Sequence, residues 1–395
     1  VISRNCIDAV GWVTCIALAA ALTLPVSTKA KKSLICRKVI FIDFYRYVLV
    51  EKSIIQAAWM LVGSFPQQIN MQILLDPAIL FFVFGVLAGA LKSNLEIPPA
   101  ISKFLSLYLL MALGLKGGFA LAESGFSMAI AISLAAAIAM AFIVPTLGYS
   151  FLKNRISKYN AAAVAASYGS VSAVTFVTAM QFLETSGLKF GGHMAVAMVL
   201  MESPAIIMAV LLSNSIRHAN KQPDHSGQTS KSMPLGKILH ESFTDGAHLL
   251  LIGAMAVGFI SGETGKTMMQ PFSSGLFKGM LAFFLLDMGM MVARNFNQAK
   301  STSFVLIAYA TLGPVVHAAI ALGLAMALDL PVADGALLMI LSASASYIVV
   351  PAVLRYAIPE ANPSIYFGLS LGVTFPINIL VGIPTYTYAA QKLLG

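Results

Sequence analysis

From Asp76 onward the chain alternates long apolar runs with short polar punctuation. Ten runs can be marked, at 77–91, 99–121, 127–151, 160–183, 190–213, 246–261, 271–293, 303–327, 332–356 and 364–390. Most lie near the ~20 residues that a helix needs to cross a hydrocarbon core. The pattern predicts an all-α integral membrane protein with ten transmembrane helices. The one clearly polar stretch in this region, Asn214 to Asp245, separates the fifth run from the sixth and reads as a cytoplasmic linker. Residues 71–213 then form a first five-helix unit and 246–395 a second.

The first 70 residues fit this scheme less simply. Residues 8–26 are apolar enough to span, and Lys29, Lys31 and Lys32 come next. The return segment 39–63 carries Asp43, Arg46, Glu51 and Lys52, which are costly at mid-bilayer. An extra hairpin and a leader both remain open for 1–70, and Met71 is a natural start for the ten-run region. Neither reading gives residues 1–70 transport chemistry.

Composition agrees with the pattern: 58% of residues are hydrophobic and 10% charged, against roughly 25% charged in soluble domains. The net charge of +9 raises nucleic acid as a partner, but the basic residues sit in short loops rather than in an aromatic-laced stripe. With the 214–245 linker inside, Lys92, Lys103, Lys153, Arg155, Lys158, Arg217, Lys221, Lys231, Lys237, Arg294, Lys300 and Arg355 fall on the cytoplasmic side. Only Lys189, Lys266 and Lys392 fall clearly outside. That asymmetry is the positive-inside bias, so the partners expected are lipid and a small solute, not nucleic acid. The three cysteines, Cys6, Cys15 and Cys36, precede the spanning region and lack metal-ligand spacing.

The two halves resemble one another in register. Leu110–Leu115 matches Leu285–Met290, and Ser167-Tyr-Gly-Ser170 matches Ser342-Ala-Ser-Ala345, both at an offset of 175. Ser203-Pro204 pairs with Phe375-Pro376 at an offset of 172. An odd number of spans per half makes the second copy inverted, the plan of many secondary transporters.

Segment four reads Ser167-Tyr-Gly169-Ser170-Val-Ser172, and segment nine reads Ser342-Ala-Ser344-Ala-Ser346-Tyr347 with Pro351 beyond it. Hydroxyls at near-alternate positions cannot share one face of a regular helix. Gly169 and Pro351 favour a local break in each. Broken helices free backbone groups that lipid cannot satisfy, so such backbone must line a polar cavity. Converging N-termini favour an anion, while freed carbonyls and hydroxyls suit sodium. Ser167, Gly169, Ser170, Ser172, Ser342, Ser344 and Ser346 are therefore the candidate substrate-binding residues. The competing reading is that these small residues merely allow close helix packing.

Glu202 and Asp287 are intramembrane carboxylates, expensive and hence functional candidates. Glu202, two residues before Pro204, is the preferred sodium or proton partner; Asp287 could equally pair with Lys278 or Arg294. Thr175, Tyr347 and Asn378 complete the candidate sodium ligands, and His317 reads as a packing residue. Gly262-Glu-Thr-Gly265-Lys266-Thr267 is not a phosphate loop, because Ile260 stands where that motif needs glycine. No HExxH, GxSxG or Cys/His cluster points to an enzyme.

Four stretches carry a family resemblance: Leu286–Met290, Gly313-Pro-Val-Val-His317, Ser342–Tyr347 and Ala357-Ile-Pro-Glu-Ala-Asn-Pro-Ser364. From about Met71 to Gly395 the chain resembles the sodium-dependent bicarbonate transporters first recognised in cyanobacteria. It differs from the cyanobacterial form at Ala173-Val174, Glu202 and Val349-Val350-Pro351. The resemblance implies two inverted five-helix repeats with helices four and nine broken, sorted into core and gate domains, and a homotrimer in a bacterial inner membrane. It implies sodium-driven uptake of bicarbonate or a similar small anion, with sodium transported rather than held as a cofactor. Control by a PII-like cytoplasmic protein belongs to the same picture. Two other readings remain: a membrane sensor signalling through a PII-like partner, and a proton-coupled carrier of a small organic acid.

Overall fold

A computed structural model describes residues 76–125, 127–219, 246–300, 302–347, 350, 353–354 and 357–395. The readings for 1–70, for most of the 214–245 linker, for Pro351 and for Arg355 lie outside the described residues. Helix accounts for 84% of the structure, and no strand occurs among the described residues. The helices are α1 (Pro77–Ala90), α2 (Pro99–Ser124), α3 (Met128–Leu152), α4 (Lys158–Gly169), α5 (Ala173–Thr185) and α6 (His193–Ala219). They continue with α7 (Gly246–Gln270), α8 (Phe277–Lys300), α9 (Phe304–Ala327), α10 (Val332–Ala343) and α11 (Pro363–Leu393).

Local chemistry sets several of these boundaries. The Asp76 carboxylate accepts from the Ala78 N–H at 2.8 Å, with Pro77 at the first helical position, where its missing N–H costs nothing. Asn362 and Pro363 repeat the device at the start of α11. Between α7 and α8 regular winding fails twice, at Gly262 (φ 53°, ψ −140°) and across a wide π-type turn at Pro271–Gly275. Two more wide turns, Ser370–Thr374 and Asn378–Gly382, interrupt α11. Each contains the residue four positions before a proline (Pro376, Pro384), whose carbonyl has lost its helical donor.

Seven helical stretches are long and apolar enough to cross a membrane. One of them, Leu249–Asn295, runs 47 residues through α7 and α8, and α1 and α10 are shorter apolar helices. Leu80, Phe81, Phe84 and Leu87 of α1, and Leu249, Ile252, Val257 and Ile260 of α7, are exposed. Lipid accepts such faces, whereas water would not.

The helices sort into two sets. In one, α1 lies along α8 and α2 along α7, with α8 also touching α2. Without a hydrophobic drive between helices in lipid, small residues must supply close packing. A Cβ at Gly85 would stand 2.2 Å from the Leu286 carbonyl oxygen, and one at Gly289 would stand 2.2 Å from that of Phe82. Gly114 and Gly118 let α2 touch the Leu251 and Met255 carbonyls of α7 in the same way. In the other set, α3 packs on α4 and α6, and α10 packs on α9 and the last part of α11.

Gly118→Leu should therefore force α2 and α7 apart, at a cost of about 1–3 kcal/mol. A lower unfolding temperature in detergent is expected for it, and no loss for Gly253→Ala, where a Cβ meets open space.

Candidate functional site

The two serine-rich segments are broken, and the breaks cross. α4 ends at Gly169, and Ser170 comes next in extended conformation (φ −93°, ψ 178°). α10 ends at Ala343, and Ser344 continues in the same way (φ −83°, ψ 169°). The breaks correspond serine for serine, Ser170 with Ser344 and Ser172 with Ser346, one position out of the 175-residue register read from the sequence.

Each break satisfies the backbone of the other. The Ser346 N–H donates to the Ser167 carbonyl at 2.8 Å, and the Ser172 N–H donates to the Ser344 hydroxyl oxygen at 3.0 Å. Ser344 passes its own hydroxyl hydrogen to the Leu341 carbonyl at 2.8 Å. The second half-helices are capped alike: Ser172 Oγ accepts from the Thr175 N–H, and Ser346 Oγ from the Val350 N–H. Asn378 joins from α11, its amide donating to the Ala343 carbonyl at 2.8 Å at the end of α10.

The candidate residues thus divide into two groups. The Ser172, Ser344 and Ser346 hydroxyls hold the crossing together. Ser167 Oγ, Ser170 Oγ, Ser342 Oγ, Thr175 Oγ1 and Asn378 Oδ1 are buried with no hydrogen-bond partner in the protein. Five orphan oxygens in one deeply buried region are an unusual expense, because a buried polar atom ordinarily finds a partner. They form an oxygen-lined site suited to a desolvated hard ion. The crossing also brings together opposite helix ends, the carbonyl ends of α4 and α10 and the amide end of α5.

Gly169 plays a part that the sequence did not reveal. Its φ is not positive, and it closes α4 as an ordinary helical residue. A Cβ there would meet the Pro145 ring of α3 at 2.7 Å, so glycine is needed for close approach rather than for the break itself. Tyr347 turns toward the other helix set: its hydroxyl lies 3.8 Å from the Met288 sulfur of α8, and its ring packs on Phe375, which packs on Phe82 of α1.

Glu202 is buried in α6, which runs unbroken past Pro204 and packs against α3 and α4. The Asp287 carboxylate receives the Ser102 hydroxyl of α2, so its hydrogen-bond partner is neither Lys278 nor Arg294. Arg294 instead donates to the Leu95 carbonyl. His317 is buried in α9, with its ring edge against Tyr309, as a packing residue would be. Lys266 is spent on Glu123 and Glu263, which leaves no phosphate-binding role for Gly262–Thr267.

Three groups escaped sequence reasoning. Asp334, in the first turn of α10, accepts the Gly191 N–H at 2.7 Å and stands 3.6 Å from His193 Nε2, tying α10 to the entrance of α6. Its place at a helix N-terminus was the available signal. Arg217 grips Glu360 at 2.9 Å and the Ala357 carbonyl at 3.1 Å, pinning the connection that leads into α11. The guanidinium holds the Glu360 carboxyl below the usual carboxylate range, so this pair persists at neutral pH and is lost only as pH falls through that lowered value. Lys116 of α2 pairs with Glu184 of α5 at 2.9 Å, bridging the two helix sets.

Compared with known proteins, residues 77–391 match the family model described as the Na+-dependent bicarbonate transporter superfamily. No curated protein matches the chain.

The two groups of hydroxyls should respond oppositely to alanine. Ser344→Ala strands the buried Ser172 N–H and should cost about 1–3 kcal/mol, visible as a lower unfolding temperature. Ser342→Ala removes an oxygen that holds nothing and should leave that temperature near wild type.

Proposed function

The chain belongs to the Na+-dependent bicarbonate transporter superfamily, and on that footing we propose that it is a sodium-coupled symporter importing bicarbonate or a similar small anion. The observation that carries the reading is the crossing of two interrupted helices, with unpartnered buried oxygens left around it. Nothing in lipid could satisfy those oxygens, so a transported ion is the natural occupant.

The roles divide by charge. Sodium takes the Ser167, Ser170 and Ser342 hydroxyls, Thr175 Oγ1 and Asn378 Oδ1, at the carbonyl ends of α4 and α10. The anion takes the first-turn amides of α5 and of the half-helix beginning near Val350. Bicarbonate both donates and accepts hydrogen bonds, which matches hydroxyl side chains better than a purely accepting anion would. Glu202, buried one helix away, supplies negative charge that favours the cation. Two ions of opposite sign bound together present little net charge to the bilayer, which lowers the cost of moving them.

The fold reading goes with this function: ten spans as two inverted five-helix repeats, with α1, α2, α7 and α8 as the gate and the remaining helices as the core. Movement of one set against the other would expose the crossing to each side in turn. Lys116–Glu184 joins the two sets across a partly exposed contact, where an ion pair is easily exchanged for water. A bacterial inner membrane and a homotrimer fit the same reading, with a PII-like protein as a candidate regulator.

Purified protein in liposomes should accumulate radiolabelled bicarbonate when sodium is imposed inward and not when potassium replaces it. Equal uptake in both conditions would sink sodium coupling, and uptake that tracks a pH gradient instead would favour the organic-acid carrier. Binding without flux would favour the sensor. In the same assay Ser170→Leu should abolish accumulation. Glu202→Gln should raise the sodium concentration for half-maximal uptake, roughly tenfold for each 1.4 kcal/mol of lost interaction.

A further inference from the structure

We infer that Thr374 is a positioning residue for transport, acting through a directional chain of hydrogen bonds from Tyr168 to Thr374 to the Ala310 carbonyl. The transport part of this inference rests on the function proposed above. The chain begins at a proline. Pro314 lies inside α9 and has no N–H, so the carbonyl four residues earlier, that of Ala310, loses its helical donor. Thr374 replaces that donor, its hydroxyl lying 2.8 Å from the Ala310 oxygen.

The other hydrogen bond gets its direction by elimination. A threonine hydroxyl carries one hydrogen. With that hydrogen committed to Ala310, the 2.6 Å contact between Thr374 Oγ1 and the Tyr168 hydroxyl must run from tyrosine to threonine. Both residues are 1% exposed, so water cannot substitute for either partner.

Tyr168 is two residues before Ser170, in the last turn of α4. On one side the α4 tip is pressed by the Pro145 ring against Gly169. On the other it is held by the Tyr168 hydroxyl, while the Tyr168 ring packs on Tyr309 at 5.0 Å between centroids. Thr374 closes the wide turn Ser370–Thr374 of α11, so three elements meet at one hydroxyl. The tip that presents the Ser167 and Ser170 hydroxyls is thus fixed by Thr374, which lies outside the crossing itself.

Valine has nearly the shape of threonine and lacks only the hydroxyl, so Thr374→Val isolates the chain. Thr374→Ser keeps the hydroxyl and is the rescue. Two measurements test the inference. In liposomes Thr374→Val should raise the KM for bicarbonate about tenfold with kcat nearly unchanged, while Thr374→Ser stays within about twofold of wild type. In detergent, without any substrate, hydrogen–deuterium exchange over 167–175 and 344–350 should quicken in Thr374→Val and not in Thr374→Ser. Tyr168→Phe keeps the Thr374–Ala310 bond, should show the same two changes more weakly, and serves if the valine variant does not fold.

Wild-type exchange in Thr374→Val would overturn the inference. So would equal loss in the valine and serine variants, or a fall in kcat with KM unchanged. If the wild type moves no bicarbonate, the proposed function fails while the exchange measurement still decides the hydrogen-bond chain.

Discussion

Backbone polar groups in a membrane must find their partners inside the protein, and the two helix breaks find theirs in each other. Ser346 donates to Ser167, and Ser172 donates to Ser344. Remove either segment and the other is left with bare amides and carbonyls in a water-free environment. The surrounding architecture can be understood from that exchange. Asn378 covers one exposed carbonyl end, Ser172 and Ser346 cap the half-helices that resume, and Pro145 seats against Gly169 to hold one broken end in place.

Helix propensity alone would not produce such a centre. Alanine-rich α4 has every reason to continue as a helix, and its interruption is stabilised by contacts made from a segment far away in sequence. Local structure at the crossing is therefore a tertiary property. The same holds for the wide turns of α11, where Pro376 and Pro384 release carbonyls. Around the site, helix packing is rigid where glycine puts backbone against backbone, as at Gly85, Gly118 and Gly289.

The sequence showed a good deal of this. Apolar runs located α2, α3, α6 and α9 to within a few residues, because ~20-residue hydrophobicity leaves little choice of structure. The breaks at Ser170 and Ser344 were legible from hydroxyls that could not share a helix face. What stayed hidden were the long-range pairings. Nothing near Asp287 in sequence points to Ser102, and nothing near Thr374 points to Ala310. Nor could the spacing separate the serines that brace the crossing from those left unpartnered, since both kinds look alike in one dimension. Gly169 was read for flexibility when its role is contact, a distinction that depends on Pro145 lying opposite.

The reciprocal bonding of the two breaks also imposes an order on biosynthesis. A membrane protein enters the bilayer from its N-terminus, so segment four is made long before segment nine. Until Ser344 and Ser346 leave the ribosome, the Ser172 amide and the Ser167 carbonyl lack their final partners. The first five helices consequently cannot reach their finished form alone. They must wait at the insertion machinery, keep some contact with water, or hold segment four in an unbroken helix that opens only when its counterpart arrives.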